Sequence, residues 1–268
     1  MPTSSEAPRP ASPVASLVIP AYNESRRIEN CIRSAAHWVA ERPGGREWEV
    51  ILVDDGSTDD TADRARRLAE KEGLPLRIVG YEENRGKGAA IRAGVLESSG
   101  DPVLVSDTDL STPLTEWTKL AERLPTHPVA IGSRAIEQAL VRRKQPFYRQ
   151  WMGRTFNRIV RVFAVAGIGD TQCGFKLFRG DVARSLFREA RVDRFAYDVE
   201  ILYLARRRGI PIAEVPVVWI NSPESKVAVV RDSLRMLWDV LWIRWMHRGS
   251  PRGEASRLEV PNRKSGAA

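Results

Sequence analysis

The chain has 268 residues, which suffices for one large hydrophobic core, and no change in composition marks a boundary between two folded domains. Its net charge of +8 indicates an anionic partner, but the densest basic runs do not interleave with a nucleic-acid module, so we expect no DNA or RNA binding. Two cysteines are too few for a disulfide framework and three scattered histidines lack zinc-ligand spacing, so any metal is expected to have oxygen ligands.

The two ends of the chain differ in composition from its middle. Residues 1–15 are rich in Pro, Ser and Ala, and residues 248–268 are polar, so both are predicted to be disordered tails. Neither end carries a secretory signal, and no apolar run approaches the roughly 20 residues that span a bilayer. The sequence therefore predicts a cytoplasmic protein with one folded domain over residues 16–247.

Strand and helix patterns alternate along the first half of the chain. Helical periodicity or helix-start residues follow each of the first four apolar runs, the last such helix extending from Pro113 to Leu124. This alternation predicts an α/β fold with a mostly parallel sheet and helices on both faces. The apolar runs that predict buried strands are residues 16–20, 48–53, 76–79, 103–106 and 129–132.

The fourth predicted strand ends in two aspartates, Asp107 and Asp109. Open α/β sheets bind ligands beyond the carboxyl ends of their strands. Carboxylates at i and i+2 on extended backbone project to the same side, so the pair predicts a site for one hard divalent cation. The alternative is an ordinary turn that leads into a helix at Thr112-Pro113.

The turn Gly86-Lys87-Gly88 follows the third strand and opens a helix. Its backbone N–H groups and the helix N-terminus would suit an anion, which Lys87 would contact. The alternative is that Lys87 is a solvated helix-start residue. The spacing from Gly80 excludes a P-loop, and the first strand does not lead into G-x-G-x-x-G, which argues against a dinucleotide fold.

Four motifs follow one another in the first half of the chain: Pro20-Ala-Tyr-Asn-Glu24, Val53-Asp-Asp-Gly-Ser-Thr-Asp59, Asn84-Arg-Gly-Lys-Gly88 and Asp107-Thr-Asp109. In this order and spacing the chain resembles a family 2 glycosyltransferase of the GT-A type. Later segments further resemble dolichyl-phosphate β-glucosyltransferases and their bacterial polyprenyl-phosphate relatives. These segments are Gly132-Ser-Arg134, Asp170 to Phe178, Phe195 to Leu202 and Ser225-Lys226.

The resemblance implies a single GT-A domain with a nucleotide-sugar half over about 16–135 and an acceptor half over about 136–247. It implies inverting, Mg²⁺- or Mn²⁺-dependent transfer of a hexose, glucose from UDP-glucose, to a polyprenyl or dolichyl phosphate at the cytoplasmic membrane face. Alternatives are mannose from GDP-mannose, or transfer to a soluble or polysaccharide hydroxyl. A sugar nucleotidyltransferase lacks support because no early Gly-rich triphosphate signature is present. The remaining alternative is a non-enzymatic binder of anionic lipid or nucleic acid.

The resemblance also implies roles for matching residues. Asp54 or Asp55 would contact the base, Asp107 would lie near ribose and metal, and Asp109 would bind the metal. Thr108 stands where relatives often have alanine, and the third metal ligand is left open. With Lys87 added, the predicted nucleotide-sugar site comprises Pro20, Tyr22, Glu24, Asp54, Asp55, Lys87 and Asp107.

A phosphate acceptor needs cations more than a base, because its second pKa of about 6 leaves it anionic near neutrality. Arg134, Lys176 and Lys226 are the predicted acceptor-phosphate residues. A hydroxyl acceptor would need a carboxylate base.

One carboxylate could supply that base. In a helix over residues 194–207, Asp198 lies within the apolar stripe of Phe195, Val199 and Leu202, while Glu200 faces away. Asp198 is therefore either catalytic or acceptor-orienting, or paired with a neighbouring arginine. The predicted catalytic residues are Asp109, Asp198 and Arg134.

Large apolar residues recur at helical spacing near the end of the chain, among arginines. Such a helix either lies on lipid headgroups or packs on the body or on a second subunit, and its charges exclude a membrane span. Residues 156–166 have the same two alternatives. We predict peripheral contact with the inner face of the membrane. The apolar series is Leu234, Leu237, Trp238, Leu241, Trp242 and Trp245.

Overall fold

A computed structural model of the chain describes residues 3–5, 14–41, 47–136, 167–220, 238–239 and 241–249. Several predictions fall outside these ranges. They are the acceptor role of Lys226, the membrane alternatives for residues 156–166, and the predicted disorder of residues 250–268.

The strands of the described residues form one sheet in the order β1-β4-β3-β2-β5-β7-β6-β8. β2 pairs in parallel with β3 and with β5, β3 pairs in parallel with β4, and β6 pairs in parallel with β8. β1 is antiparallel to β4, and β7 is antiparallel to β5 and β6. The predicted mostly parallel sheet is confirmed. The strands are β1 Thr3–Ser5, β2 Ala15–Ala21, β3 Trp48–Asp55, β4 Leu76–Tyr81, β5 Val103–Val105, β6 Val129–Ser133, β7 Lys176–Phe178 and β8 Ile212–Pro216.

Helices cover both faces of this sheet, as the alternating pattern predicts. Successive residues of a buried strand point to opposite faces. Accordingly, Val18 of β2 packs in a cluster with α3, α5 and α6, whereas Leu17 and Ile19 pack with α1, α2 and α4. The helices are α1 Ile28–Ala40, α2 Thr61–Glu72, α3 Lys87–Glu97, α4 Trp117–Ala121 (after a 3₁₀ turn at Leu114–Glu116), α5 Gly180–Glu189 and α6 Tyr197–Arg207.

Three elements differ from the sequence predictions. The helix predicted from Pro113 to Leu124 is shorter and begins with the 3₁₀ turn, so α4 itself covers only Trp117–Ala121. The sequence predicts no strand among residues 1–15, and the structure adds one, because Thr3–Ser5 pairs antiparallel with the outer edge of β4. Helix α6 begins at Tyr197 rather than near residue 194. Among the residues that the structure describes, none of the helices combines the length and the apolarity that a bilayer span requires.

The sheet brings three functional loops to one edge. Strand β2 lies between β3 and β5 and is parallel to both, with Ala21 opposite Asp54 and Val18 opposite Val105. The loops after β2, β3 and β5 therefore leave the sheet side by side. Helix α3 packs closely on β2 and β3, since a Cβ added at Gly94 would lie 2.5 Å from the Val18 side chain and 2.8 Å from that of Val53. The carboxyl ends of three neighbouring parallel strands thus meet at one edge, which is where open α/β sheets bind ligands.

Candidate active site

The loops that follow β2 and β3 are joined by hydrogen bonds into one rim. The Asn23 backbone N–H donates to Ser57 Oγ at 3.0 Å, and the Thr58 N–H donates to Asn23 Oδ1 at 2.8 Å. The Glu24 N–H donates to Thr61 Oγ1 at 2.8 Å. Asn23 adopts a left-handed backbone with φ of 51°, which asparagine tolerates because its short amide bonds locally. Pro20, Tyr22 and Glu24 are thereby held beside the loop that contains Asp54 and Asp55.

Asp55 is a buried carboxylate that supports the neighbouring turn. Its oxygens accept from the Arg85 N–H at 2.9 Å, the Gly86 N–H at 2.8 Å and the Asn84 side-chain amide at 2.8 Å. Burial raises the pKa of Asp55 above its ordinary value, although the two backbone N–H groups act in the opposite direction. Asp54 is only partly buried, and its Oδ1 accepts from the Ser57 N–H at 3.1 Å. Of the two, Asp54 is the one open to a ligand.

The turn held by Asp55 places Lys87 beside Asp107, the first aspartate of the Asp107-Thr108-Asp109 (DxD) segment. Gly86 has φ of 112°, and a Cβ there would lie 2.5 Å from the Asp193 carbonyl oxygen, so glycine permits this turn. Lys87 is the first residue of α3, and its Nζ lies 2.6 Å from Asp107 Oδ1. The anion that Lys87 contacts is thus a carboxylate of the site, and the solvated alternative is wrong.

The Lys87–Asp107 pair keeps both groups charged. Burial alone would raise the pKa of Asp107, but Lys87, together with the charges of Lys176 and Arg134, outweighs it and holds this pKa below its ordinary value. Burial alone would lower the pKa of Lys87, and the carboxylates of Asp107 and Asp198 raise it instead. Charged partners at this distance favour the ionised forms of each other.

The DxD segment is a turn rather than an extended strand end. Residues 108–109 are in a turn, the Leu110 N–H donates to the Asp107 carbonyl at 3.1 Å, and Leu110 has φ of 47°. The backbone at Asp107–Asp109 is therefore a turn, as the alternative predicted, and is not extended. Both carboxylates belong to this turn. Thr108 is buried and its hydroxyl donates to the Pro20 carbonyl oxygen, which anchors the turn to β2. Asp109 Oδ1 accepts from the Ser111 N–H at 3.0 Å.

Gly174 places the second half of the domain against Asp107. A Cβ added at Gly174 would lie 2.2 Å from Asp107 Oδ2, so only a glycine lets the backbone approach this carboxylate so closely. Gly174 belongs to the predicted motif of residues 170–178. The segment of residues 170–178 therefore meets the DxD turn.

Arg134 is oriented by a buried aspartate. Its Nε and Nη2 donate to the two oxygens of Asp170 at 2.6 and 2.8 Å, and its backbone N–H donates to the same carboxylate at 3.0 Å. Burial opposes the charge on Arg134, but Asp170 raises its pKa above the ordinary value. The Arg134 side chain keeps 30% of its surface exposed, and its guanidinium lies 5.5 Å from the Trp219 ring. Arg134 is therefore a cation that Asp170 holds in a fixed position and that remains partly exposed.

Lys176 and Asp198 form a buried ion pair. Lys176 Nζ donates to Asp198 Oδ1 and to the Cys173 carbonyl oxygen, and both side chains are buried. Burial raises the pKa of Asp198, although Lys176 and Lys87 lower it. The partner of Asp198 is thus a lysine and not the arginine that the sequence suggests. Lys176 is enclosed, which corrects the prediction of a lysine that reaches an acceptor phosphate.

Glu200 contradicts the predicted orientation of α6. It is fully buried and accepts from the N–H groups of Arg191 and Val192, both at 2.9 Å, and His247 Nε2 lies 2.6 Å from its Oε1. The apolar-stripe argument fails because residues 197–202 of α6 are all buried, and the helix reaches solvent only in its C-terminal half, where Arg206 is exposed. Phe195 precedes α6 and is 46% exposed rather than part of a stripe.

Two further residues near the site carried no sequence signal of their own. Asp170 orients Arg134, and Tyr197 is buried, its pKa raised by burial and further by the charges of Asp198 and Asp107. Both lie within segments that the resemblance singled out, Asp170 to Phe178 and Phe195 to Leu202, and this membership is the signal that could have identified them.

The carboxylates suit a divalent ion that arrives with a substrate. Within the described ranges no group of three or more His, Cys, Asp or Glu side chains could hold a metal by itself. Mg²⁺ commonly uses one or two carboxylates and takes its remaining ligands from water and substrate phosphates. Asp107 and Asp109 are such a donor set.

Comparisons with known proteins agree with this geometry. Residues 16–187 match the profile of Glycosyl transferase family 2. The chain is 36% identical over 244 residues to dolichyl-phosphate beta-glucosyltransferase of Drosophila melanogaster, a match that covers 86% of this chain and 75% of that protein. It is 37% identical over 240 residues to the protein of the same name from Homo sapiens, covering 85% and 74%.

A solved structure shares the fold. Glucosyl-3-phosphoglycerate synthase from Mycobacterium tuberculosis, in complex with Mn²⁺, uridine diphosphate and glucosyl-3-phosphoglycerate, superposes with a TM-score of 0.56 at 21% sequence identity. The match covers 87% of this chain and 79% of that one.

Proposed function

The chain belongs to glycosyl transferase family 2 and is a glycosyltransferase, and on this premise we propose that it transfers glucose from UDP-glucose to a polyprenyl or dolichyl phosphate. The transfer inverts the configuration at C1 and takes place at the cytoplasmic face of the membrane, which the protein contacts peripherally. The relatives named above support the sugar and the lipid phosphate. One observation carries the proposal: the DxD turn, Lys87 and the β2–β3 rim meet at one edge of the sheet.

The donor half of the site has separate parts for base and diphosphate. Asp54 contacts the base, together with the rim residues Pro20, Tyr22 and Glu24, while Asp55 only supports the turn that leads to Lys87. Asp107 and Asp109 hold Mg²⁺ or Mn²⁺. When bound, this ion supplies positive charge to the departing diphosphate. Lys87 lies within reach of the same charge and adds to its stabilisation.

The acceptor half is cationic. Asp170 occupies Nε and Nη2 of Arg134, and since a guanidinium has five N–H donors, others are left for the acceptor phosphate. A phosphate is already anionic near neutral pH, so no base is required to activate it. This agrees with the burial of Asp198, whose carboxylate is enclosed and paired with Lys176.

Two alternatives share the fold. Transfer of mannose from GDP-mannose uses the same carboxylates and differs only in the sugar and base contacts. Transfer to a hydroxyl requires a base, and Asp198 is the carboxylate of the described site that would supply it. The second alternative thus predicts that Asp198→Asn abolishes turnover, whereas our proposal predicts residual turnover in that variant if it folds.

One experiment separates these functions. The full-length protein is incubated with Mg²⁺ or Mn²⁺, UDP-glucose or GDP-mannose, and either a short polyprenyl phosphate or a sugar hydroxyl acceptor, and products are identified by mass. We expect a glucosyl lipid phosphate from UDP-glucose alone. A mannosyl lipid supports the first alternative, and a product formed only on the hydroxyl acceptor contradicts the proposal.

A further inference from the structure

Within the described residues, the last segment of the chain packs on the body through the face that contains Ile243 and His247. Residues 241–246 are helical, and Ile243 is fully buried in the cluster formed with α3, α5 and α6. His247 is buried, and its Nε2 lies 2.6 Å from Glu200 Oε1 in α6. Arg207 of α6 donates to the Arg248 carbonyl oxygen at 3.1 Å. The segment is therefore docked on α6 and does not hang free.

The opposite face exposes large apolar side chains. Trp238 is 67% exposed, Leu241 45%, Trp242 44% and Trp245 53%. We call these four residues the aromatic face. Trp242 and Trp245 stack with ring centroids 4.7 Å apart. By contrast, Trp38, Trp48 and Trp117 pack edge-to-face against one another between α1, β3 and α4. These three tryptophans contribute to the packing of the fold, whereas those of the aromatic face do not.

Cations lie beside the aromatic face. The Arg248 guanidinium lies 5.1 Å from the Trp245 ring centroid, and Arg244 is exposed on the same segment, which also contains Asp239. Indole rings with an apolar body and a polar N–H partition to the membrane–water interface, and arginines beside them attract anionic headgroups. We propose that the aromatic face docks on an anionic lipid surface. This deepens the proposed function, on which it rests for the location of the acceptor.

A second copy of the chain is a poorer occupant of this surface. Four side chains at about half exposure present roughly 400 Å², whereas a stable dimer buries about 800 Å² on each partner. A two-fold contact centred on the stacked tryptophans would also bring Arg248 of both copies together. Charge and area therefore favour a lipid surface over self-association.

Docking at this face would fix the site relative to the membrane. Glu200, which binds His247, lies two residues after Asp198 on the same helix. The contact of His247 with α6 thus fixes the aromatic face, and a lipid surface bound to it, at a set position relative to Asp198 in the acceptor half of the site. The His247–Glu200 contact acts as a positioning element in this arrangement and takes no part in the chemistry.

The proposal is tested by flotation of the full-length protein with vesicles of phosphatidylcholine alone or mixed with phosphatidylglycerol. The variants are Trp242→Ser/Trp245→Ser and, for the charge, Arg248→Glu. The matched control is Leu96→Ser, which removes an exposed apolar side chain at the end of α3. Thermal unfolding checks that each variant is folded, and brominated acyl chains report tryptophan insertion by quenching.

We expect the wild-type protein to bind phosphatidylglycerol vesicles with quenching, and the double variant to bind roughly tenfold more weakly or worse, because two aromatic side chains lose their burial in the interface. Arg248→Glu weakens binding to anionic vesicles, and Leu96→Ser binds like wild type. Absence of wild-type binding overturns the proposal, as does equal binding by the double variant. A wild-type dimer in solution that the double variant converts to monomer also overturns it, since the face is then a self-interface.

Failure of this inference is distinguishable from failure of the proposed function. Glucose transfer to a short polyprenyl phosphate in detergent, without vesicles, is measured on the same samples. The double variant is expected to keep this turnover. Turnover without vesicle binding overturns the docking surface alone, and vesicle binding without turnover overturns the proposed reaction alone.

Discussion

Lys87 Nζ lies 2.6 Å from Asp107 Oδ1, so the first residue of α3 is tied to the carboxylate that follows β5. This contact joins two segments that are 20 residues apart in the sequence, and it holds the pKa of Asp107 below its ordinary value. The stability that Asp107 gains from this pair is present above the ordinary carboxyl range and is lost as pH falls through the lowered pKa.

Lys87→Met should move the acid limb of the activity profile to higher pH. Without Lys87, the burial of Asp107 is less strongly opposed, so its pKa rises and the carboxylate protonates earlier as pH falls. The measurement is kcat/KM for UDP-glucose as a function of pH. Lys71→Met, on the exposed end of α2, is the control and should leave the profile unchanged. An acid limb that stays in place in Lys87→Met would show that the pair does not control Asp107.

Asp55→Asn and Asp54→Asn should have opposite consequences. Asp55 accepts three hydrogen bonds in a buried position, and an asparagine would turn its amide NH2 either toward the Arg85 N–H or toward the Gly86 N–H and the Asn84 amide, because these donors bond to different oxygens. We expect Asp55→Asn to lower the free energy of unfolding by roughly 2 kcal/mol or more, while Asp54→Asn weakens UDP binding with little loss of stability. Urea unfolding and calorimetry on both variants test this. Equal stability of the two would contradict the supporting role of Asp55.

The buried pair of Lys176 and Asp198 should show strong coupling. Lys176→Met leaves an uncompensated buried carboxylate, which costs about 3–5 kcal/mol. Lys176→Met/Asp198→Leu replaces both charges by apolar groups and should regain most of that loss. A double-mutant cycle from urea unfolding gives the coupling free energy. Additive losses would mean that the two side chains do not interact as the geometry indicates.

Gly174→Ala should impair the site without unfolding the protein. The new Cβ would lie 2.2 Å from Asp107 Oδ2 and must displace this carboxylate. Because small misplacements of site residues are costly, we expect roughly 100-fold lower kcat/KM. Gly249→Ala has open space around its added Cβ and serves as the control. Normal kinetics in Gly174→Ala would show that the position of Asp107 is unimportant.

The sequence patterns predicted those parts of the fold that depend on local periodicity. Apolar runs such as Val103 to Ser106 predicted strands buried on both faces, and the parallel order followed from their alternation with helices. The meeting of the β2, β3 and β5 loops was predictable for the same reason, because parallel strands bring their carboxyl ends to one edge.

Partners distant in the sequence could not be predicted in the same way. The burial of Glu200 depends on His247 and on the N–H groups of Arg191 and Val192, and periodicity within α6 contains no information on them. The two neighbouring aspartates Asp54 and Asp55 look equivalent in the sequence, and only the fold of the 84–86 turn distinguishes them. The same holds for Lys176, whose partner lies 22 residues away.

The central claim is that Asp107 and Asp109 hold a divalent ion together with the donor diphosphate. The most direct measurement is calorimetric titration of UDP-glucose into wild type and Asp109→Asn, each with and without Mn²⁺. We predict that Mn²⁺ strengthens binding to wild type, and that Asp109→Asn binds equally weakly in both conditions while its unfolding transition is unchanged. Mn²⁺-dependent binding of wild-type strength in Asp109→Asn would contradict the claim.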